Sequence, residues 1–300
     1  MLILADDIGY ECFGSYGGTS FATPVLDQMA ETGVRFEHCY SQPLCTPSRV
    51  QIMTGIYNVR NYVKFGVMDW GQTTFAQLLR DAGYATCVAG KWQLKGDFEG
   101  PGHFGFDEYC LWQLNRVPSR YPNPGLEING RHVDATQGEY GPDVCTDYIC
   151  DFMARKTDQP FLVYYPMLLP HFPWEPTPDS GVSLKAVPGQ GKGDPKYFPA
   201  MVRYMDKLVG RMVKAVDDLG LRDNTLVLFS GDNGTQQPLT SRWGPEDRLV
   251  KGGKGRLTDT GTRVPLIARW PGTIAAGSEC DELVDFSDFL PTFVEASGGK

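Results

Sequence analysis

Four short, continuously apolar runs constrain the fold of this 300-residue chain most strongly. Apolar runs without alternation are typical of strands that are covered on both faces, as in a mainly parallel sheet. Between and after them lie patterns typical of amphipathic helices, several with proline near the start or glycine after the end. The sequence therefore predicts an α/β fold, with strands at residues 1–5, 84–89, 160–165 and 225–230 and helices at residues 23–32, 73–82, 143–155, 199–219 and 287–296.

Polar residues follow each of these strands. In α/β sheets, ligand sites form outside the carboxyl ends of the strands. Adjacent carboxylates repel each other unless a cation lies between them, and Asp and Asn oxygens suit Ca²⁺ or Mg²⁺. An isolated Asp-Asp pair is more often a solvated turn, but the preceding buried strand favours a ligand site. The residues in question are, in strand order, Asp6 and Asp7, Lys91, His171, and Asp232 with Asn233.

The stretch at residues 41–55 forms the second constraint. Pro47 suits the first position of a helix, so Cys45 is expected at the mouth of that helix. Arg49 follows one turn later and can reach back toward Cys45. A helix N-terminus offers unpaired N–H groups to an anion. From these residues alone, Cys45 is either a thiolate nucleophile with a lowered pKa or a buried structural cysteine.

Several motifs together resemble those of one enzyme family. Cys45-Thr-Pro-Ser-Arg49, followed by Thr54-Gly55, looks like the signature of the sulfatases, a branch of the alkaline-phosphatase superfamily. The resemblance extends from residue 6 to about residue 296. It implies an alkaline-phosphatase-like mixed central β-sheet flanked by helices on both faces. The other matching motifs are Asp-Asp-x-Gly-Tyr at 6–10, Gly-Tyr-x-Thr with Gly-Lys-Trp at 83–92, Pro-His-x-Pro at 170–173 and Gly-Gly-Lys-Gly at 252–255.

The resemblance implies hydrolysis of aryl or carbohydrate sulfate esters. In sulfatases a maturation enzyme oxidises the cysteine to formylglycine, and the hydrate of this aldehyde attacks sulfur. His171, with a pKa near neutrality, would be the general acid toward the leaving alcohol. The catalytic residues would be Cys45, Arg49, Lys91, His171 and Lys254, and one Ca²⁺ (or Mg²⁺) would be held by Asp6, Asp7, Cys45, Asp232 and Asn233.

Gln93 departs from the family pattern, which has histidine after Gly-Lys-Trp. In the family this histidine is thought to deprotonate the hydrate so that sulfate is expelled, and glutamine does not titrate. His103 is the nearest alternative base. Two other functions therefore stay open: a phosphonate or phosphate monoester hydrolase of the same superfamily, and a catalytically impaired binder of sulfated glycans.

The amino-acid composition of the chain limits the classes of partner and metal that it is expected to bind. The net charge is −8 and no basic tract is present, which argues against nucleic acid. No run of eighteen apolar residues predicts a membrane span. Eight cysteines without a CxxC pair argue against a zinc site.

The resemblance implies a periplasmic, secreted or lysosomal protein. Both ends are abrupt, so we expect residues 1–300 to be a catalytic domain truncated at both ends, without the family's small C-terminal domain.

Two segments of weak periodicity are expected to carry substrate specificity. The first, residues 112–142, should contain a short hairpin around Asn129-Gly130, since Asn-Gly favours a tight turn. The second, residues 176–197, includes the Gly-, Pro- and Lys-rich stretch at 180–196 and should be a mobile surface loop.

Overall fold

A ten-stranded mixed sheet forms the centre of the computed structural model, which describes residues 1–187, 189 and 191–299. The order across this sheet is β12-β2-β11-β8-β1-β7-β3-β4-β5-β6, and the remaining two strands form a separate hairpin. The strands are β1 (Leu2–Ala5), β2 (Val34–Tyr40), β3 (Ala85–Lys91), β4 (Glu108–Trp112), β5 (Gly125–Ile128), β6 (Arg131–Asp134), β7 (Phe161–Pro166), β8 (Val227–Gly231), β9 (Thr240–Trp243), β10 (Arg248–Lys251), β11 (Arg263–Arg269) and β12 (Ser278–Asp285).

The five central strands are parallel. β1 pairs in parallel with β7 and β8, and β3 pairs in parallel with β7 and β4. Their carboxyl ends therefore meet at one edge of the sheet. β11 runs antiparallel to β2 and β8, which makes the sheet mixed. The predicted α/β fold with a mixed central sheet is confirmed.

The five helices expected from the sequence are present, and their ends differ from the predicted ends by no more than about two residues. The helix that carries Cys45 differs in one respect, because Cys45 is its first residue and Pro47 its third. The helices are α1 (Pro24–Glu31), α2 (Cys45–Thr54), α3 (Asn58–Asn61), α4 (Phe75–Asp81), α5 (Gly100–His103), α6 (Gly141–Arg155), α7 (Phe198–Asp218), α8 (Asp259–Thr262) and α9 (Phe289–Ala296).

Helices cover both faces of the sheet, which explains why the central strand β1 is apolar at every position. Side chains alternate between the two faces of a strand. Ile3 and Ala5 pack into a core with α1, α6 and α7, whereas Leu2 and Leu4 pack into a second core with α2, α4 and α9. All four side chains are fully buried. The central strands are thus packed against helices on both faces, which fixes the positions of their carboxyl ends relative to one another.

The two segments of weak periodicity differ in structure. Asn129 and Gly130 both have positive φ angles and join β5 to β6, as the Asn-Gly signal predicts. The stretch at 180–196 contains short 3₁₀ turns, including Leu184–Ala186; residues 188 and 190 lie outside the described residues. Within the described part of the chain, no helix combines the length and apolarity needed to cross a membrane.

Candidate active site

Cys45 begins α2 and is 2% exposed. The preceding residue, Leu44, is extended, and α2 ends at Gly55, whose φ of 66° is in the left-handed region that glycine adopts most readily. Burial raises the pKa of the Cys45 thiol, although the charge of Lys91 opposes this effect. An unmodified Cys45 is therefore a protonated thiol at neutral pH. The interpretation as a thiolate with a lowered pKa is wrong, because desolvation outweighs the nearby positive charges.

Three carboxylates and one amide meet at the carboxyl edge of the sheet. Asp6 and Asp7 follow β1, and Asp232 and Asn233 follow the neighbouring β8; each is at most 1% exposed. The backbone N–H of Asp7 donates to Oδ1 of Asp232 at 3.0 Å. Nδ2 of Asn233 donates to Oδ1 of Asp7 at 2.9 Å. The parallel pairing of β1 with β8 thus brings together acids that are 225 residues apart.

Two buried cations pair with these acids. Nζ of Lys91 lies 2.8 and 3.0 Å from the two carboxylate oxygens of Asp6. Nη2 of Arg49 lies 2.9 Å from Asp232 and 3.7 Å from Asp6. Burial opposes ionisation of Asp6, but Lys91 and the other nearby cations hold its pKa well below the usual value. Burial, reinforced by the charge of Asp6, raises the pKa of Asp232.

His171 and Lys254 form the more accessible side of the site, with side chains 18% and 17% exposed. Nζ of Lys254 contacts Asp7 and lies 3.3 Å from Nε2 of His171. Nδ1 of His171 faces the carbonyl oxygen of Phe172 and therefore carries the imidazole proton. A cavity of about 480 Å³ opens here and is lined in part by Leu44, His171 and Lys254.

The histidine differs from its expected state. Burial lowers the pKa of His171 to about 4, and the opposing charges of Asp7 and Asp6 do not compensate. Its imidazole is therefore neutral at neutral pH, whereas the sequence predicted a pKa near neutrality. Burial also disfavours the charge of Lys254, yet Asp7 and Asp6 raise the pKa of this lysine. The mobile proton of this pair consequently resides on Lys254.

The oxygen-rich cluster fits a divalent cation. One ligand atom each from Asp6, Asp7 and His171 lie within 4.8 Å of one another. Oδ1 of Asn233 is buried and has no hydrogen-bond partner among the described residues. A buried carbonyl oxygen of this kind is unfavourable unless a donor or a cation approaches it. Carboxylate and amide oxygens are hard ligands, which favours Ca²⁺ or Mg²⁺ over softer metals.

Gln93 and His103, the two residues that bear on the missing base, occupy different surroundings. Gln93 has a φ of 59°, and its Oε1 is buried without a hydrogen-bond partner in the described structure. It lines a cavity of about 400 Å³ together with Phe65 and Gln113. The ring of His103 instead packs against that of Trp70, with their centroids 4.1 Å apart, and Nε2 of His103 lies 2.7 Å from the backbone carbonyl oxygen of Trp70. His103 is thus engaged outside the acid cluster.

One charged neighbour of the cluster was missed by the sequence analysis. Nη1 of Arg120 lies 3.8 Å from Oδ2 of Asp6. Arg120 belongs to the segment between β4 and β5, where no motif marks it. The sequence features that could have indicated a role for this position are the arginine itself and the aromatic residues at 112 and 121.

Comparisons with known proteins agree with this architecture. A family model described as Sulfatase matches residues 1–299. Arylsulfatase A of Bos taurus is 34% identical over 336 residues, which is all of this chain and 64% of the relative. The chain thus spans 64% of the length of this curated relative.

Solved structures show the same fold. That of Ps i-CgsB in complex with k-i-k-neocarrahexaose has a TM-score of 0.86 at 28% identity, covering 100% of this chain and 71% of the other. The phosphonate monoester hydrolase of Agrobacterium radiobacter has a TM-score of 0.70 at 18% identity, with coverages of 99% and 73%. The expected alkaline-phosphatase-like α/β fold is therefore confirmed.

Proposed function

The chain belongs to the sulfatase family, and on this premise we propose that it hydrolyses aryl or carbohydrate sulfate esters with Cys45 in its formylglycine form. The arylsulfatase relative and the solved structure with a bound neocarrahexaose support these two substrate classes. The formylglycine, once a maturation enzyme has produced it, would supply the nucleophilic oxygen. The buried, protonated thiol supports this proposal, because an unmodified Cys45 is a poor nucleophile.

The observation that carries the proposal is the charge of the site. Four cations, Arg49, Lys91, Arg120 and Lys254, lie around three carboxylates. One positive charge is thus in excess before any metal binds, and a divalent cation would raise the excess further. Buried charge of one sign is costly unless it is compensated. The charge of the site therefore favours an anionic ligand, and a sulfate ester provides one.

Residues of this chain divide the work as follows. Asp6, Asp7, Asp232 and Asn233 would hold one Ca²⁺ (or Mg²⁺), which would supply positive charge near the sulfate group. Cys45 would contribute a further ligand after its modification.

Arg49 fixes the start of α2 against β8, since it pairs with Asp232. Its Nη1 also donates to the backbone oxygen of Lys91 at 3.0 Å. Lys91 and Lys254 bind sulfate oxygens and stabilise the charge that develops on them.

Lys254 and His171 act together on the leaving group. The neutral imidazole cannot itself protonate an alkoxide from Nε2, because its only proton is directed at a backbone carbonyl. Nζ of Lys254 lies 3.3 Å from Nε2. Protonation of Nε2 from solvent, as the substrate brings negative charge beside the imidazole and raises its pKa, makes His171 the general acid, while Lys254 keeps its own proton.

A kinetic comparison tests the proposed function. The matured protein, produced with a formylglycine-generating enzyme and calcium, is assayed on 4-nitrophenyl sulfate, on sulfated oligosaccharides and on a phosphonate monoester. We expect higher kcat/KM on the sulfates and no turnover by Cys45→Ala. Faster turnover of the phosphonate monoester would favour the hydrolase alternative. Binding of sulfated glycans without turnover would favour the impaired binder that Gln93 suggests.

A further inference from the structure

Arg120 adds to the positive charge of the site, but no contact with the substrate is assigned to it above, although it lies beside the acid cluster. It is located between β4 and β5, in the segment expected to govern specificity. Its side chain is 11% exposed, and Nη1 lies 3.8 Å from Oδ2 of Asp6. A largely buried arginine at this position requires an explanation, because desolvation of a guanidinium is costly unless acceptors surround it.

The surroundings hold Arg120 in a defined place. Its guanidinium carbon lies 3.8 Å from the ring centroid of Trp112, which is 1% exposed and ends β4. Trp112 is paired in register with Lys91 on β3. The hydroxyl of the next residue, Tyr121, donates to the backbone oxygen of His171 at 2.6 Å. The position of Arg120 is therefore fixed by Trp112, which pairs with the strand of Lys91, and by Tyr121, which is hydrogen-bonded to the backbone of His171.

One nitrogen of the Arg120 guanidinium, Nη1, lacks an acceptor in the described structure. Nη1 is buried and has no hydrogen-bond partner among residues 1–187, 189 and 191–299. Oδ2 of Asp6 is too distant for a hydrogen bond and already accepts one from Lys91 at 2.8 Å. Glu175, the other acid whose charge influences this region, forms no ion pair with Arg120 within 4.0 Å in the described structure. An external acceptor is thus needed to satisfy Nη1.

We propose that Arg120 binds an oxygen of the substrate's sulfate group, beside Lys91; this rests on the proposed function. Lys91 and Arg120 both approach Oδ2 of Asp6, at 2.8 and 3.8 Å, so their positive charges act on the same small region of the site. A guanidinium stays charged when buried and offers parallel N–H groups to a tetrahedral oxyanion. Trp112 limits its movement, so little side-chain entropy remains to be lost on binding.

Binding of inorganic sulfate tests this assignment independently of turnover. Isothermal titration calorimetry is carried out on the calcium-loaded protein, on Arg120→Gln and on Arg120→Lys. We expect Arg120→Gln to weaken sulfate binding at least about tenfold, and Arg120→Lys to weaken it less, because hydrogen bonds to charged groups are strong. The KM for 4-nitrophenyl sulfate should rise by a similar factor. Arg131→Gln, at an exposed position on β6, serves as the matched control and should bind sulfate like the unsubstituted protein.

The outcomes separate this inference from the proposed function. Weakened sulfate binding by Arg120→Gln in a protein that does not hydrolyse sulfate esters would support the inference and refute the function. Unchanged sulfate affinity and KM in an active enzyme would overturn the inference and leave the function intact. A change in calcium affinity alone would show that Arg120 only supports Asp6, and would also overturn it. Absence of sulfate binding by the unsubstituted protein would also overturn the inference.

Discussion

Nζ of Lys254 lies 3.3 Å from Nε2 of His171, so the lysine ammonium is placed to donate to this ring nitrogen. The Nδ1 proton of His171 points to the carbonyl oxygen of Phe172. Burial lowers the pKa of His171 to about 4. The pair is therefore arranged as a protonated amine beside a neutral imidazole, which differs from a lone histidine acid and makes its effect on the leaving group testable.

His171→Ala should affect substrates according to their leaving groups. An alkoxide leaves poorly without a proton, whereas 4-nitrophenolate leaves readily. We expect kcat for a carbohydrate sulfate to fall by about 10²–10⁴, the usual contribution of general acid catalysis, and kcat for 4-nitrophenyl sulfate to fall much less. Steady-state kinetics on both substrates measures the ratio. His38→Ala, at an exposed position on β2, is the control. Equal losses on both substrates would refute the role of His171 as acid.

Calcium should stabilise the folded protein through the acid cluster. At a free concentration of about 100 times Kd, a bound ion adds about 2.7 kcal/mol to the free energy of unfolding. Thermal unfolding with calcium and with a chelator measures this difference. Asp7→Asn should remove most of it, since the Asp7 carboxylate supplies one of the clustered ligand atoms. Asp247→Asn, in the exposed turn between β9 and β10, should retain it. Calcium-independent stability of the unsubstituted protein would contradict the metal assignment.

Gln93→His should increase turnover if position 93 determines release of sulfate from the enzyme. The φ of 59° at Gln93 is one that histidine tolerates better than most residues. Its buried Oε1 has no partner in the described structure, so little is lost on replacement. We expect kcat to rise by up to about 10².

Gln113→His is a matched control for that substitution. Gln113 lines the same cavity and has a φ of 62°. Stopped-flow kinetics distinguishes faster release from faster attack. An equal increase in both variants, or none in Gln93→His, would show that Gln93 does not limit turnover.

Asp206 should contribute to the stability of the fold without touching the site. Its carboxylate, on α7, accepts hydrogen bonds from the backbone N–H groups of Val25 and Leu26 at 3.0 and 2.9 Å. Asp206→Ala leaves both N–H groups of α1 without these acceptors and should lower the free energy of unfolding by about 2 kcal/mol. Asp218→Ala, an exposed position at the end of the same helix, should change it little. Denaturant titration of both variants measures the difference, and equal stabilities would contradict the capping role.

The sheet edge could be predicted because its residues follow apolar strands directly. Asp6 and Asp232 each follow a buried strand closely in the sequence. The parallel pairing of these two strands then places both residues at one edge of the sheet. Arg120 could not be predicted in this way. Its approach to Asp6 depends on the path of a long segment with weak periodicity, and that path is fixed by tertiary contacts such as the hydrogen bond from Tyr121 to His171.

The ionisation states were also beyond the sequence. The start of α2 reads as Cys-Thr-Pro-Ser-Arg, which is polar, yet most of this helix is buried. The pKa of Cys45 is raised by that burial, so the local signals for an activated thiolate were misleading. His171 illustrates the same limit, because its pKa depends on enclosure by distant residues and not on the Pro-His-x-Pro motif.

The mass of the tryptic peptide at residues 36–49 tests the central claim most directly. This peptide contains both Cys39 and Cys45, and Cys39 is a buried residue of β2 outside the site. After co-expression with a formylglycine-generating enzyme, we predict that position 45 is lighter by the difference between H₂S and one oxygen atom, while Cys39 remains an alkylatable thiol. Two unmodified thiols in this peptide, from protein made with an active maturation enzyme, would contradict the account.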